Sequence, residues 1–163
     1  MLAPPRPATA DRLASARLLA LAVPVALLGG ALLSEHVGKL YPCDMCWWQR
    51  YPHGVAILLA LGALMSPLNA SRTRALTLLA ALAIAVSGAI GVFHAGVEYG
   101  RWEGLTTCTS SGATTFEDIM SVPLVRCDQV QWSLAGISLA GFNALFSLGG
   151  ALLIVMLARR KSA

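Results

Sequence analysis

Four cysteines, one arginine and one histidine are the side chains here whose types and spacing could carry chemistry. Cys43 and Cys46 stand in "YPCDMCWWQR", with Arg50 four residues beyond the second cysteine. Cys108 and Cys127 follow as a widely separated pair, and His94 and Glu98 lie at i, i+4 ahead of them. A C-x-x-C pair fits three chemistries: thiol–disulfide exchange, a structural disulfide, or part of a zinc site. Trp47 occupies the place where c-type haem attachment would need a histidine.

The local sequence gives the first pair a setting. Pro42 suits the first position of a helix, which predicts a helix start with Cys43 in its first turn. Free N–H groups and the dipole at such an end favour a thiolate. If the helix continues, Arg50 shares a face with Cys46 and supplies a charge that cannot be lost. The competing reading of Arg50 is a side chain snorkelling to lipid headgroups. Pro52 is expected to kink the helix or mark a second start. His94 and Glu98 would suggest a proton path if buried, and ordinary interfacial polar residues if not; the second reading is taken for both. His36 and His53 carry no signal beyond their interfacial position.

The elements that must hold these residues are apolar. Of 163 residues, 56% are hydrophobic and only 12% charged, about half the charge of a soluble domain. The pattern predicts an all-α membrane protein, a four-transmembrane-helix bundle forming a single membrane domain over residues 1–163. Its spans are expected at 18–34, 48–65, 75–93 and 134–157, with outer loops at 35–47 and 94–133. The first two runs are short for a helix that needs about 20 residues to cross, so they require flanking residues or local thinning. Residues 1–12, rich in Pro and Ala, are expected to be a disordered tail. Arg6, Arg12 and Arg17 before the first run could belong to a signal peptide, but the apolar stretch is long and no small-x-small cleavage site follows. Small residues in the third and fourth runs, among them Ser87, Gly88, Gly91, Gly136, Gly141, Gly149 and Gly150, suit close helix packing.

The long second outer loop contains "TTFEDIMSVP". Thr114 and Glu117 form a candidate capping box, Phe116, Ile119 and Met120 share a face, and Pro123 ends the pattern. A short amphipathic interfacial helix is expected there. Cys108 and Cys127 flank it on slack tethers, which would let either cysteine change partner.

Charge sets the orientation. The N-terminus, the loop with Arg72 and Arg74, and Arg159–Lys161 hold eight of the twelve Lys/Arg, with Asp11 as their only acid. Lys/Arg-rich ends face the cytoplasm, so both termini are expected there and all four cysteines on the opposite side. The basic residues are then topology determinants, and nucleic acid is not an expected partner. Disulfides persist on the outer side, which argues against four zinc-bound thiolates. Trp47, Trp48, Trp102 and Trp132 all fall at outer ends of the apolar runs, as an interfacial belt would.

From about Arg17 to Arg160 the chain resembles the disulfide bond formation protein B (DsbB) family of bacterial inner-membrane thiol oxidases. The resemblance rests on four apolar runs, "PCDMCWWQR" at the outer mouth of the second, "HAGVEYGRWEG" before Cys108, and "CD" followed by Trp132. It implies a protein-dithiol:quinone oxidoreductase whose partners are a periplasmic DsbA-like thioredoxin-fold protein, the membrane quinone pool and the lipid bilayer. It further implies exchangeable Cys43–Cys46 and Cys108–Cys127 disulfides, with Cys43–Cys127 as an intermediate. Quinone would meet Cys46, Arg50 and His94, with ubiquinone expected ahead of menaquinone and no metal. The alternative from a different class is a non-catalytic tetraspan protein with two structural disulfides.

Overall fold

A computed structural model describes residues 8–68, 71–104 and 125–159. Helix α1 covers Ala8–His36, α2 Asp44–Met65, α3 Ser71–Glu98 and α4 Leu139–Ala158. Before α4, strands β1 (Ser133–Leu134) and β2 (Ile137–Ser138) form a small antiparallel hairpin. Among the described residues, α1 from Asp11, α3 and α4 are long and apolar enough to cross a membrane. With 22 residues α2 is about 33 Å long, but its outer turns carry Asp44, Gln49, Arg50 and His53. The four helices pack as one bundle, and the protein is a multi-pass membrane protein.

The packing is that of a chain solvated by lipid. The centre of the bundle is built from Ala16, Ala20, Ala56, Ala60, Ala80 and Ala151 around Ile84 and Ile154. Leu18, Leu33, Leu58, Leu82, Leu145 and Leu152 point outward. Apolar side chains gain little by leaving lipid, so small residues go inside and let backbones approach. Gly91 shows this most directly, since a Cβ there would lie 3.0 Å from the Ala140 carbonyl oxygen and 3.1 Å from the Ala144 nitrogen.

Three boundaries differ from the sequence expectation. Helix α1 begins at Ala8, so residues 8–12 are helical where a disordered tail was expected; Asp11 sits favourably in the first turn. Helix α2 begins after Cys43, not at Pro42. Cys43 is extended (φ −81°, ψ 176°), and its sulfur accepts the backbone N–H of Cys46 at 3.4 Å, the capping role usually taken by Ser or Asp. Helix α4 begins at Leu139 because residues 133–138 turn back on themselves; Ala135 (φ 51°) and Gly136 (φ 78°) form the tight turn, and Ser138 caps the helix. Pro52 lies inside α2 without ending it. The amphipathic helix expected over Thr114–Met120 lies outside the described residues.

At its C-terminal end α3 closes with Gly100 at φ 64°, where Arg101 N–H reaches the Gly96 carbonyl at 2.8 Å and Gly100 N–H that of Val97 at 3.0 Å. The hydroxyl of the adjoining Tyr99 donates to the Gly136 carbonyl and accepts from Ser138 N–H, each at 2.8 Å. Thus the end of α3 is stapled to the start of α4. Gln131 in turn donates to the Tyr41 carbonyl at 3.0 Å, holding the outer segment over the mouth of α2.

Candidate active site

The N-cap role of Cys43 sets the geometry of the pair. An extended residue followed by one helical turn brings the two sulfurs to 3.1 Å, as free thiols with Cys43 buried and Cys46 half-buried. That separation is a hydrogen bond, since a disulfide would be about 2.05 Å. Both residues precede the apolar part of α2. The two sulfurs are not equivalent. Cys46 is pushed below the ordinary thiol range, chiefly by the hydrogen bond from Cys43 and further by a backbone hydrogen bond and the Arg50 charge, against the cost of burial. Cys43 is pushed up by the same hydrogen bond and by burial. The contact is therefore asymmetric: Cys46 is the more readily ionised sulfur and Cys43 the one that holds its proton.

Behind Cys43 lies His94 of α3, buried, with Nε2 3.6 Å from the Cys43 sulfur and 3.9 Å from Glu98 Oε1. The ring is oriented by Gln49, whose amide nitrogen donates to His94 Nδ1 at 2.8 Å and to the Met45 carbonyl at 3.0 Å. Since Nδ1 accepts, the ring proton sits on Nε2 and faces the cysteines. His94 also hydrogen-bonds the backbone of Cys127. Cys127 is itself disulfide-bonded, and it packs with Cys43, Met45, Val97 and Val125 in a buried cluster. Glu98 accepts a hydrogen bond from the Ser138 hydroxyl, which ties it to the cap of α4.

Arg50 turns toward α1. Its guanidinium pairs with Glu35 at 2.5 Å, donates to the Ala31 carbonyl at 3.2 Å and stacks over Trp47 at 4.8 Å. Both partners of the ion pair are largely buried. The arginine is thus fixed one turn beyond Cys46 rather than snorkelling, and Glu35 shares its charge.

These groups converge on a cavity of about 280 Å³. The lining is mostly apolar, with Leu27, Leu28, Phe142 and Phe146, and its polar members include Cys43, Cys46, Gln49, Arg50, His53, His94, Glu98 and Arg126. Concave, mostly apolar pockets with a few convergent polar groups are what small-molecule sites look like. A second use of the same atoms is open to them: the ligand atoms of Cys43, Cys46 and His94 lie within 4.8 Å of one another, a set that could hold a metal ion. This differs from the four-cysteine site weighed from the sequence, because Cys127 is committed to a disulfide.

Comparison with known proteins decides the class. The family model described as disulfide bond formation protein DsbB matches residues 13–157. The chain belongs to the DsbB family. It is 35% identical over 148 residues to disulfide bond formation protein B of Verminephrobacter eiseniae (strain EF01-2), covering 83% of this chain and 80% of that one. It is 30% identical over 156 residues to the protein of the same name from Stutzerimonas stutzeri (strain A1501), covering 86% and 93%. A Polaromonas protein of that name is 30% identical over 152 residues, covering 84% and 88%. No solved structure matches the chain.

Within this DsbB-family fold, Cys43, Cys46, Arg50, His94 and Cys127 meet at one end of the bundle. Cys108 lies outside the described residues. Spacing alone read His94 and Glu98 as ordinary interfacial residues, and only the family resemblance put His94 with the quinone; in the structure His94 is buried between the cysteines and Gln49. It also missed Glu35, Gln49, His53, Ser87 and Asn143. Only the α2 members left a signal, for Cys46, Gln49, Arg50 and His53 recur at i, i+3, i+4 and i+7.

Proposed function

We propose that this DsbB-family oxidoreductase re-oxidises a periplasmic thioredoxin-like dithiol protein and passes the electrons to membrane quinone. One observation carries the reading: Cys43 packs beside the disulfide-bonded Cys127, and both Cys43 and Cys46 line the cavity. The pair bridges a site for protein thiols and a site for a small apolar acceptor.

Cys108 is the proposed partner of Cys127. A thiolate of the reduced partner attacks Cys108, and Cys127 leaves as thiolate. With the first pair oxidised, Cys127 attacks Cys43, giving a Cys43–Cys127 disulfide and releasing Cys46 as thiolate. His94, with its proton on Nε2, is placed to stabilise negative charge on the Cys43 sulfur. The partner's second thiolate then resolves its bond to Cys108, and Cys108 recovers Cys127. The dithiol that remains at Cys43 and Cys46 has the unequal protonation described above, with the thiolate at the cavity.

The cavity fits a quinone: its lining is mostly apolar and carries the cysteine pair and a fixed cation, and ubiquinone is proposed ahead of menaquinone. A quinone bound there accepts two electrons and two protons and departs as quinol. Arg50, held by Glu35 and Ala31, steadies negative charge without giving up a proton. The acceptor is needed on energetic grounds, since a DsbA-type partner lies near about −120 mV and weak oxidants cannot regenerate it. The charge pattern supports an inner-membrane orientation with both termini cytoplasmic and the cysteines periplasmic.

The test uses purified protein, a reduced thioredoxin-fold partner and ubiquinone, following thiol loss and quinol formation together. One quinol per partner disulfide is expected, and Cys46→Ser should stop quinol formation. Full turnover by that variant would overturn the mechanism.

A further inference from the structure

Below the cysteines the cavity meets a polar cluster that the thiol exchange does not use. Asn143 of α4 donates through Nδ2 to Gln49 Oε1 at 2.8 Å and to the Ser87 carbonyl at 3.2 Å. Its Oδ1 accepts from the Ser147 hydroxyl at 3.0 Å and faces His53 Nε2 at 2.9 Å. Ser87 Oγ donates to the Gln49 carbonyl at 2.8 Å, and its lone pairs face His53 Nε2 at 2.9 Å. Every group opposite His53 Nε2 therefore acts as an acceptor, which places the ring proton on Nε2. Nδ1 is left as a bare lone pair. It is buried and has no hydrogen-bond partner, in a residue only 3% exposed that forms part of the cavity wall.

An imidazole pinned through one nitrogen and unpartnered at the other is costly unless something uses the free edge. Along α2, His53 is seven residues beyond Cys46 on the same face, about 10.5 Å further along the axis. A quinone ring has oxygens at opposite ends, and one lying against the Cys46 thiolate directs the other toward His53. Arg50, between them, keeps its proton.

Resting on the quinone reading above, we propose that His53 gives a proton through Nδ1 to the quinone oxygen farther from Cys46. The balance closes. Cys43 thiol, Cys46 thiolate, protonated His53 and quinone yield the Cys43–Cys46 disulfide, neutral His53 and quinol. The two sulfurs supply two electrons; the Cys43 thiol and His53 supply one proton each. His53 regains a proton from solution for the next cycle, matching the one Cys46 gave up when it ionised. Neutral His53, a lone-pair acceptor, then matches the hydroxyl of the quinol just formed. Asn143 and Ser87 are positioning residues, since they fix which nitrogen is free.

Four measurements on full-length protein in detergent test this. In single turnover, His53→Gln should slow quinol formation from the pre-reduced protein by about 100-fold, within the usual span for a lost proton donor, with quinone KM changed less than threefold. Exchange between oxidised protein and reduced partner, without quinone, should keep its wild-type rate. Histidine 15N spectra should show His53 neutral with Nε2 protonated in the oxidised, quinone-free wild type and protonated on both nitrogens once Cys43 and Cys46 are reduced, and decyl-ubiquinol should shift the Nδ1 resonance of the oxidised protein. His53→Leu should match His53→Gln in rate. Wild-type rates in His53→Gln overturn the proposal, as does a neutral Nδ1-protonated tautomer in the oxidised protein, a His53 that stays neutral in the reduced protein, or an equal loss of thiol exchange. If wild-type protein itself forms no quinol, the underlying quinone reading fails instead.

Discussion

Replacing Cys43 with alanine should make Cys46 harder to ionise, although the substitution removes a neighbour and adds no charge. The 3.1 Å contact from the Cys43 thiol is the largest influence lowering the Cys46 pKa. A hydrogen bond to a charged group is worth about 1.5–3 kcal/mol. Loss of the contact removes that preference for the thiolate and moves the Cys46 midpoint upward. The backbone hydrogen bond and Arg50 remain and keep part of the lowering. The sign follows from thiolate chemistry: alkylation rises with pH through the folded-state pKa. In wild type that rise occurs below the ordinary thiol value of about 8.5, and in Cys43→Ala it shifts to higher pH. The assay is iodoacetamide labelling of quinone-free, reduced protein across a pH series. Fragmentation between Asp44 and Met45 assigns the label to one cysteine. An unchanged or lower midpoint in the variant would refute the asymmetry of the contact, and with it the assignment of Cys46 as the more readily ionised sulfur.

Glu35→Ala should destabilise the protein by about 3 kcal/mol, because it leaves Arg50 buried and unpaired; Glu35→Gln should cost less, and SDS unfolding of the two variants would rank them. Gly91→Ala should cost about 1–3 kcal/mol by forcing α3 from α4, whereas Gly149→Ala, with nothing within 4 Å of the added carbon, should be neutral or stabilising in the same measurement. Zinc added to reduced protein should protect Cys43 and Cys46 from alkylation, less so in His94→Ala, while a chelator leaves turnover of the untreated protein unchanged. Turnover abolished by the chelator would favour a metal role for this cluster over redox exchange.

The contrast between Arg50 and His53 shows what kind of information a sequence holds. Arg50 was visible because it stands in a compact pattern with Cys46, yet two roles fitted its position equally well. Only the burial of Glu35 and the Ala31 carbonyl around its guanidinium separates them. His53 stood in the same helical register but read as interfacial. Its surroundings come from Ser87 on α3 and Asn143 on α4, 34 and 90 residues away. His94 was undervalued for the same reason, since its partners Gln49 and Cys43 lie on another helix. The start of α2 was misjudged by two residues because a cysteine took the capping role that sequence habits assign to Ser or Asp. The hairpin before α4 was missed because Ala135 adopts a positive φ that its type does not announce.

By itself the sequence determined that the chain is a helical membrane protein, since apolar runs of spanning length leave few other ways to satisfy the backbone. Its charge distribution gave the expected sidedness, and its C-x-x-C pair with a second cysteine pair restricted the chemistry. Tertiary structure decided which sulfur ionises more readily, which ring nitrogen of His53 and of His94 carries the proton, and how the Arg50 charge is shared. Those properties depend on distances of about 3 Å between helices, and hydrophobic periodicity within one helix carries no record of them.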